Sequence, residues 1–278
     1  MDPIYELFLK NFVEENFDGC KHLIDQPEFD INHIFTQAEL KTKLPKFPIT
    51  SSTITLNVLQ LIARLGKRWS TSLIQSILEL ERVGVDGVGV DLNLPNKEGW
   101  TALMMAACHS NNTSSLETVE LLIRAGANLD LQNTVGMTAL SKAACLSKTI
   151  SSLETVRLLI SVGANLDVED NQGRTALMWS SYNINNESSI ETIETLILAG
   201  AKLDLQDNKG WTALMWVSRY SKTADSLETV ELLIRANANL DLKNIDGHTA
   251  LMIAARYSCE TSSLKAVMTL INAGAKLE

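Results

Sequence analysis

The sequence predicts an all-α solenoid of about seven helix-turn-helix units with short hairpin-like tips. Two observations predict it. First, a glycine followed one residue later by Thr-Ala-Leu recurs at Gly99, Gly136, Gly173, Gly210 and Gly247, always 37 residues apart. A constant period of this order marks a stack of supersecondary units, none able to bury its apolar face alone. Second, each period holds two segments whose apolar residues recur at i, i+3 and i+4, the spacing of one helix face. Such a stack grows in one dimension, so 278 residues need not divide into ordinary globular domains.

Each element of the unit from Gly99 to Val135 has a local reason. Thr101 to Ala107 opens the first helix, with Leu103, Ala106 and Ala107 on one face. The small alanines let neighbouring helices approach closely. His109-Ser110-Asn111-Asn112-Thr113 is a polar loop. Ser114 and Glu117 stand three apart, the spacing of a capping box that starts the second helix. The pair recurs as Ser151 with Glu154, Ser188 with Glu191 and Asp225 with Glu228, and breaks as Ser262 with Lys265. Leu116, Val119, Leu122 and Ile123 make the buried face of that helix. Gly126 ends it, and the equivalents are Gly163, Gly200, Asn237 and Gly274. Only Gly and Asn occur there, as a left-handed residue past a helix end requires. Asn128 to Asn133 is too short for a third helix and reads as an extended arm leading to the next tip.

Upstream the pattern weakens. Ile4 to Asn11 and Phe17 to Ile24 suit one helix pair, with an arm at Phe29-Asp30-Ile31-Asn32. Residues 36–51, with Pro45 and Pro48, read as a connector. Leu59, Ile62 and Ala63 suit a first helix, and Leu73, Ile77 and Leu80 a second. Val83 to Val90 is glycine-rich but lacks the Lys-Ser/Thr of a phosphate loop and reads as an insertion. Residues 1–95 thus hold two degenerate units, and 96–278 hold five regular ones, the last truncated. At the first unit's surface, Glu6, Lys10, Glu14 and Glu15 suit an end that faces water.

The unit resembles an ankyrin repeat. GWTALMMAA from Gly99, LETVELLIRAGANLDLQN from Leu116 and their copies match that family's tip, both helices and arm. The resemblance covers residues 96–278. Two departures are consistent. Ala stands where the family has Pro after Thr, and Met104, Met178, Met215 and Met252 stand where it usually has His, with Ser141 in the second copy. The period also exceeds the family's usual ~33 residues, and the excess falls between Ala107 and Leu116. This long, Ser/Asn-rich variant is similar to ankyrin arrays of giant DNA viruses and of some protists and intracellular bacteria. That implies a cytoplasmic location, the host cytoplasm for a viral protein.

The resemblance implies a non-catalytic protein–protein interaction scaffold, since ankyrin arrays hold partners on their tips and on the concave first-helix face. Carried over residue by residue, the position after the tip glycine is Trp100, Met137, Arg174, Trp211 and His248. The positions after the Ala-Ala pair include His109, Tyr182, Arg219, Tyr220 and Tyr257. These ten vary between copies while the core hardly does, and Trp, Tyr and Arg dominate interface hot spots. The expected cluster is Arg174, Trp211, Arg219, Tyr220 and His248. Trp100 and Trp211 have a second reading, packing over a neighbouring turn. Trp179 and Trp216 occupy a buried aliphatic position and are expected in the core; Lys142 takes it in the second copy and is expected to snorkel. The alternative function is a substrate adaptor of a ubiquitin-ligase-type or other multi-protein complex, with residues 1–95 as the second surface.

Composition narrows the remaining classes. The net charge of −9 disfavours nucleic-acid binding, which needs a basic face. Lys41, Lys43 and Lys46 read as solvated surface. No apolar run approaches the ~20 residues that span a bilayer, and the opening Met-Asp-Pro-Ile-Tyr-Glu lacks a signal peptide's charged and apolar regions. Cys20, Cys108, Cys145 and Cys259 are expected to be reduced. Enzyme activity, cofactors and metals are not expected. His22, His33, His109 and His248 are scattered, without metal-ligand spacing. Asp204 and Asp207 fall in an arm and a tip and are expected to be exposed. A monomer is expected.

Overall fold

A computed structural model of the chain describes residues 2–14, 16–24, 26, 34–35, 56–57, 60, 62–63, 91–111, 114–260 and 262–276. The expected arm at 29–32, connector at 36–51, helix at 73–80 and insertion at 83–90 lie outside the described residues, as does Glu15. The chain divides into two compact units, 1–134 and 135–278.

In the first unit, α1 (Pro3–Val13) packs on α2 (Phe17–Ile24), and α3 (Ala102–Cys108) on α4 (Leu116–Arg124). Asp2 caps α1 by accepting from the Ile4 amide, ahead of Pro3 at the first helical position. Phe8, Leu9 and Cys20 are buried between α1 and α2. β1 (Ile34–Phe35) pairs antiparallel with β2 (Leu56–Asn57) in a two-residue ladder. Gln60, Ile62 and Ala63 are helical and buried, which agrees with the first helix expected there. The Gln60 amide donates to the carbonyls of Leu94 and Trp100, both at 2.8 Å, and so holds the neighbouring tip.

The second unit holds four helix pairs: α5 (Ala139–Cys145) with α6 (Leu153–Ser161), α7 (Ala176–Asn183) with α8 (Ile190–Leu198), α9 (Ala213–Arg219) with α10 (Ala224–Arg235), and α11 (Ala250–Arg256) with α12 (Leu264–Asn272). First helices α5, α7, α9 and α11 stack successively, and second helices α6, α8, α10 and α12 form another layer. The interface between layers is apolar: Leu140, Val156, Leu177, Ile193, Leu214 and Val230 are all essentially inaccessible. The recurrent Thr of the Gly-x-Thr-Ala-Leu motif is the N-cap of each first helix. Thr175 and Thr212, for example, accept from the amides of Met178 and Met215.

Second-helix capping differs from the expected pairs by one residue. The caps are Ser115, Ser152, Ser189 and Ser263, accepting from the amides of Thr118, Thr155, Thr192 and Ala266. Ser114, Ser151, Ser188 and Ser262 are instead buried. Ser188 donates to the Ala144 carbonyl at 3.0 Å, and the Ser221 and Ser262 hydroxyls pair at 2.8 Å. Inter-repeat hydrogen bonding thus takes Ser188 and Ser262, and Glu117 is left exposed. In the fourth copy a Thr223–Ser226 capping box moves the start of α10 back to Ala224.

The lengthened loops expected between the helices are hydrogen-bonded to each other. The Lys148 amide donates to the Glu187 carbonyl at 2.9 Å, and Asn185 donates to the Tyr220 carbonyl at 2.6 Å. Thr192 and Ser147 share a hydroxyl contact at 2.7 Å. Arms and tips also form ladders. Asp167, Asp204 and Asp241 accept from the amides of Lys202, Asn239 and Lys276, each 35 residues on. Tip amides of Asn171, Asn208 and Ile245 donate to the preceding tip, at Val135, Gln172 and Lys209. Among the described residues no helix is long and apolar enough to cross a membrane.

Candidate interaction surface

Each tip is organised by one side chain. In Asp170 and Asp207, Oδ1 accepts from the amides two and four residues later, at Gln172 and Arg174 and at Lys209 and Trp211. Asn96 and Asn244 do the same in their copies. An aspartate has a second acceptor to spare. Asp170 Oδ2 takes the Trp179 indole N–H at 2.8 Å, and Asp207 Oδ2 takes that of Trp216 at 3.2 Å. Nine residues separate acid and indole in both copies, and only these two copies carry the tryptophan.

Arg174 lies in the resulting pocket. Its guanidinium is 4.8 Å from the Trp179 ring and 4.7 Å from the Trp216 ring, and 5.9 Å from Tyr182. Its Nε is 3.7 Å from Asp207 Oδ2. The side chain is only 16% exposed and that of Asp207 2%. The charge is thus removed from water but offset by a carboxylate and by aromatic faces, a combination that makes a cation–π contact worth more than at the surface.

From there a ribbon of rings and guanidiniums runs across the first helices of the second unit. Tyr182 meets Trp179, Trp216 and Tyr220 edge-on at 6.0, 5.2 and 5.5 Å. Arg219 lies over Tyr220 at 5.4 Å, Trp211 at 5.6 Å and Tyr257 at 4.5 Å. Arg256 also lies over Tyr257, at 5.9 Å. Edge-to-face packing and cation–π contacts hold these side chains in place.

The ten expected residues divide accordingly. Arg174, Tyr182, Arg219, Tyr220 and Tyr257 belong to the ribbon, and all are partly or fully exposed. Trp211 touches it but is only 8% exposed, and its ring lies against Trp216 of its own copy's first helix at 4.6 Å rather than over a neighbouring turn. Met137 is 4% exposed and offers no surface. The expectation that every residue after a tip glycine faces outward is corrected at these two positions, where the side chain folds back onto the apolar layer. His248 is half-buried and contributes its backbone amide to Asn244. Trp100 and His109, both half-buried, lie in the first unit. Asp207 is buried, not exposed as its tip position suggests, because the Trp216 indole and Arg174 engage it.

Trp179 and Trp216 complete the ribbon and fall outside the expected set, and Arg256 joins it from the expected position beside Tyr257. Trp216 is in the core as expected, but Trp179 is half-exposed. An aspartate nine residues before each tryptophan was the available signal. Cys20, Cys108 and Cys145 are buried, Cys259 is exposed, and none of the four is in a disulfide. Among the described residues no group of three His, Cys, Asp or Glu side chains could hold a metal ion.

A family model for ankyrin repeats matches residues 110–189 and 181–278, more than half of the chain. The chain belongs to the ankyrin-repeat family. Among solved structures, this ankyrin array is similar to the crystal structure of an ankyrin repeat domain from Acinetobacter baumannii AYE. The two are 26% identical, with a TM-score of 0.61, over 78% of this chain and 98% of that one. No curated protein matches the sequence.

Proposed function

We propose that this ankyrin-repeat protein is a non-catalytic interaction scaffold that holds a protein partner on the tips and first helices of residues 135–278. The arginine–aromatic ribbon supports the reading. Side chains of the hot-spot types are pre-positioned by mutual stacking, so little rotamer freedom remains to be lost on binding. Tyr182 is 37% exposed despite its three ring contacts, which leaves apolar area for a partner to cover.

The test is capture of partners by the full chain and by a Tyr182→Ala/Tyr220→Ala variant. These tyrosines are better probes than Trp211, whose removal would excavate the core. Partner capture should be lost while the thermal unfolding midpoint moves by only a few degrees. Undiminished capture by a folded double variant would sink the proposal.

A further inference from the structure

This inference rests on the ribbon being the binding face, and concerns what that face takes. Charge on the second unit is segregated between the layers. The first helices and the loops after them (137–150, 174–187, 211–224 and 248–261) hold six lysines and arginines against two acids, Glu187 and Glu260, although the whole chain carries −9. The second helices and arms carry the opposite excess. Two tip acids also face the ribbon, but their oxygens are engaged. Asp170 and Asp207 accept from backbone amides and indoles, and Asp207 additionally offsets Arg174. Lys148 is likewise paired with Asp225 at 3.2 Å.

Beyond Arg174 the ribbon's cations are the half-buried Arg219 and the exposed Arg256, each with its guanidinium over a ring. Arg219 and Arg256 share Tyr257, at 4.5 and 5.9 Å from its centre, so the two guanidiniums lie within about 10 Å of each other, the reach of roughly three residues of extended chain. A guanidinium stacked on a ring keeps its N–H edge pointing outward, parallel to the ring, where it can make the two parallel bonds that a carboxylate accepts. Arg256 is exposed and makes no ion pair among the described residues. Tyr182 and Tyr220 extend the same surface with ring edges suited to aliphatic side chains.

We infer that the ribbon binds an extended, acidic segment of a partner protein. Glutamate or aspartate side chains two or three residues apart engage Arg219 and Arg256, and an apolar residue between or beside them lies on Tyr182 and Tyr220. Attraction comes from a local basic face on an acidic protein, so association is strongly salt-dependent.

The test uses three fluorescein-labelled twelve-residue peptides, identical except for Glu, Gln or Lys at every third position, titrated against the full chain by fluorescence anisotropy. The Glu peptide should bind best, and tenfold or more weaker at high salt. Arg219→Gln/Arg256→Gln should weaken it by at least tenfold. Arg256→Gln alone, at an exposed site that leaves the fold unchanged by circular dichroism, should weaken it several-fold. Equal binding of the Gln or Lys peptide, no binding of the Glu peptide, indifference to Arg256→Gln, or displacement by single-stranded RNA would each overturn the inference. Partner capture that still depends on Tyr182 and Tyr220 in those cases would leave the binding face standing and remove only the acidic partner. Loss of both would remove both.

Discussion

Asp207 and Asn244 occupy equivalent tip positions and use Oδ1 identically, to accept two backbone amides. Their other atom is an acceptor in one and a donor in the other. Trp216 brings a donor and Arg174 a positive charge to Asp207, whereas Ile253, the equivalent of Trp216, brings neither to Asn244, whose Nδ2 is buried without a partner. Asp207→Asn should therefore turn one amide N–H toward the indole N–H, and destabilise the chain by about 1–3 kcal/mol in urea titration. Thiol chemistry is also set residue by residue. Burial pushes the Cys20 thiol up from 9.0 to about 12. The folded state then keeps a proton that the unfolded chain releases, so this contribution to stability is complete below about pH 9 and is lost as pH rises toward 12. Iodoacetamide at pH 8 should modify exposed Cys259 and spare Cys20, Cys108 and Cys145, as read by peptide mass.

Among elements, the two recurrent glycines answer different demands. Gly136 has φ +84°, and a Cβ there would stand 2.5 Å from the Asn171 backbone nitrogen of the next tip. Gly163, after α6, has φ +93° and open space around it. Both alanine variants pay the left-handed penalty of about 1–2 kcal/mol, and only Gly136→Ala adds a clash with backbone that cannot swing aside. Chemical denaturation should rank Gly136→Ala as the more damaging. The caps offer a second comparison. Ser152→Ala should cost about 1 kcal/mol, and Glu154→Ala, at an exposed side chain paired with Arg157 at 3.7 Å, should stay within about 0.5 kcal/mol. Helix existence and ends were legible because periodicity and the left-handed glycine are local signals. The capping register was not, because two adjacent serines satisfy the same local rule and only the neighbouring repeat decides which is taken inward.

On the scale of the whole chain, recurrence separates what is shared from what is specific. The Thr caps, the Ala pairs and the tip glycines repeat because each copy packs on another like it. The ribbon does not repeat: Trp179, Tyr182, Trp216 and Arg219 come from two adjacent copies, flanked by Arg174 and Tyr257. Half of the expected binding set lies in it, since variability among copies is a fair guide to surface. Met137 and Trp211 failed that guide because a side chain at a variable position can still fold back onto the core. Trp211→Ala should accordingly cost about 3–5 kcal/mol, whereas Tyr220→Ala should act mainly on binding. Thermal unfolding of the two single variants distinguishes them.

By itself, the sequence determined the period, the helix pairs, the terminating glycines and the lengthened loops, all of which follow from interactions within a few residues or from exact recurrence. Only the tertiary structure decided which of two serines caps the second helix in the copies that carry the pair, that the polar loops hydrogen-bond to one another, and that Asp207 is buried under a tryptophan and an arginine. Those outcomes depend on atoms from copies some 37 residues apart, whose side-chain directions no local pattern encodes.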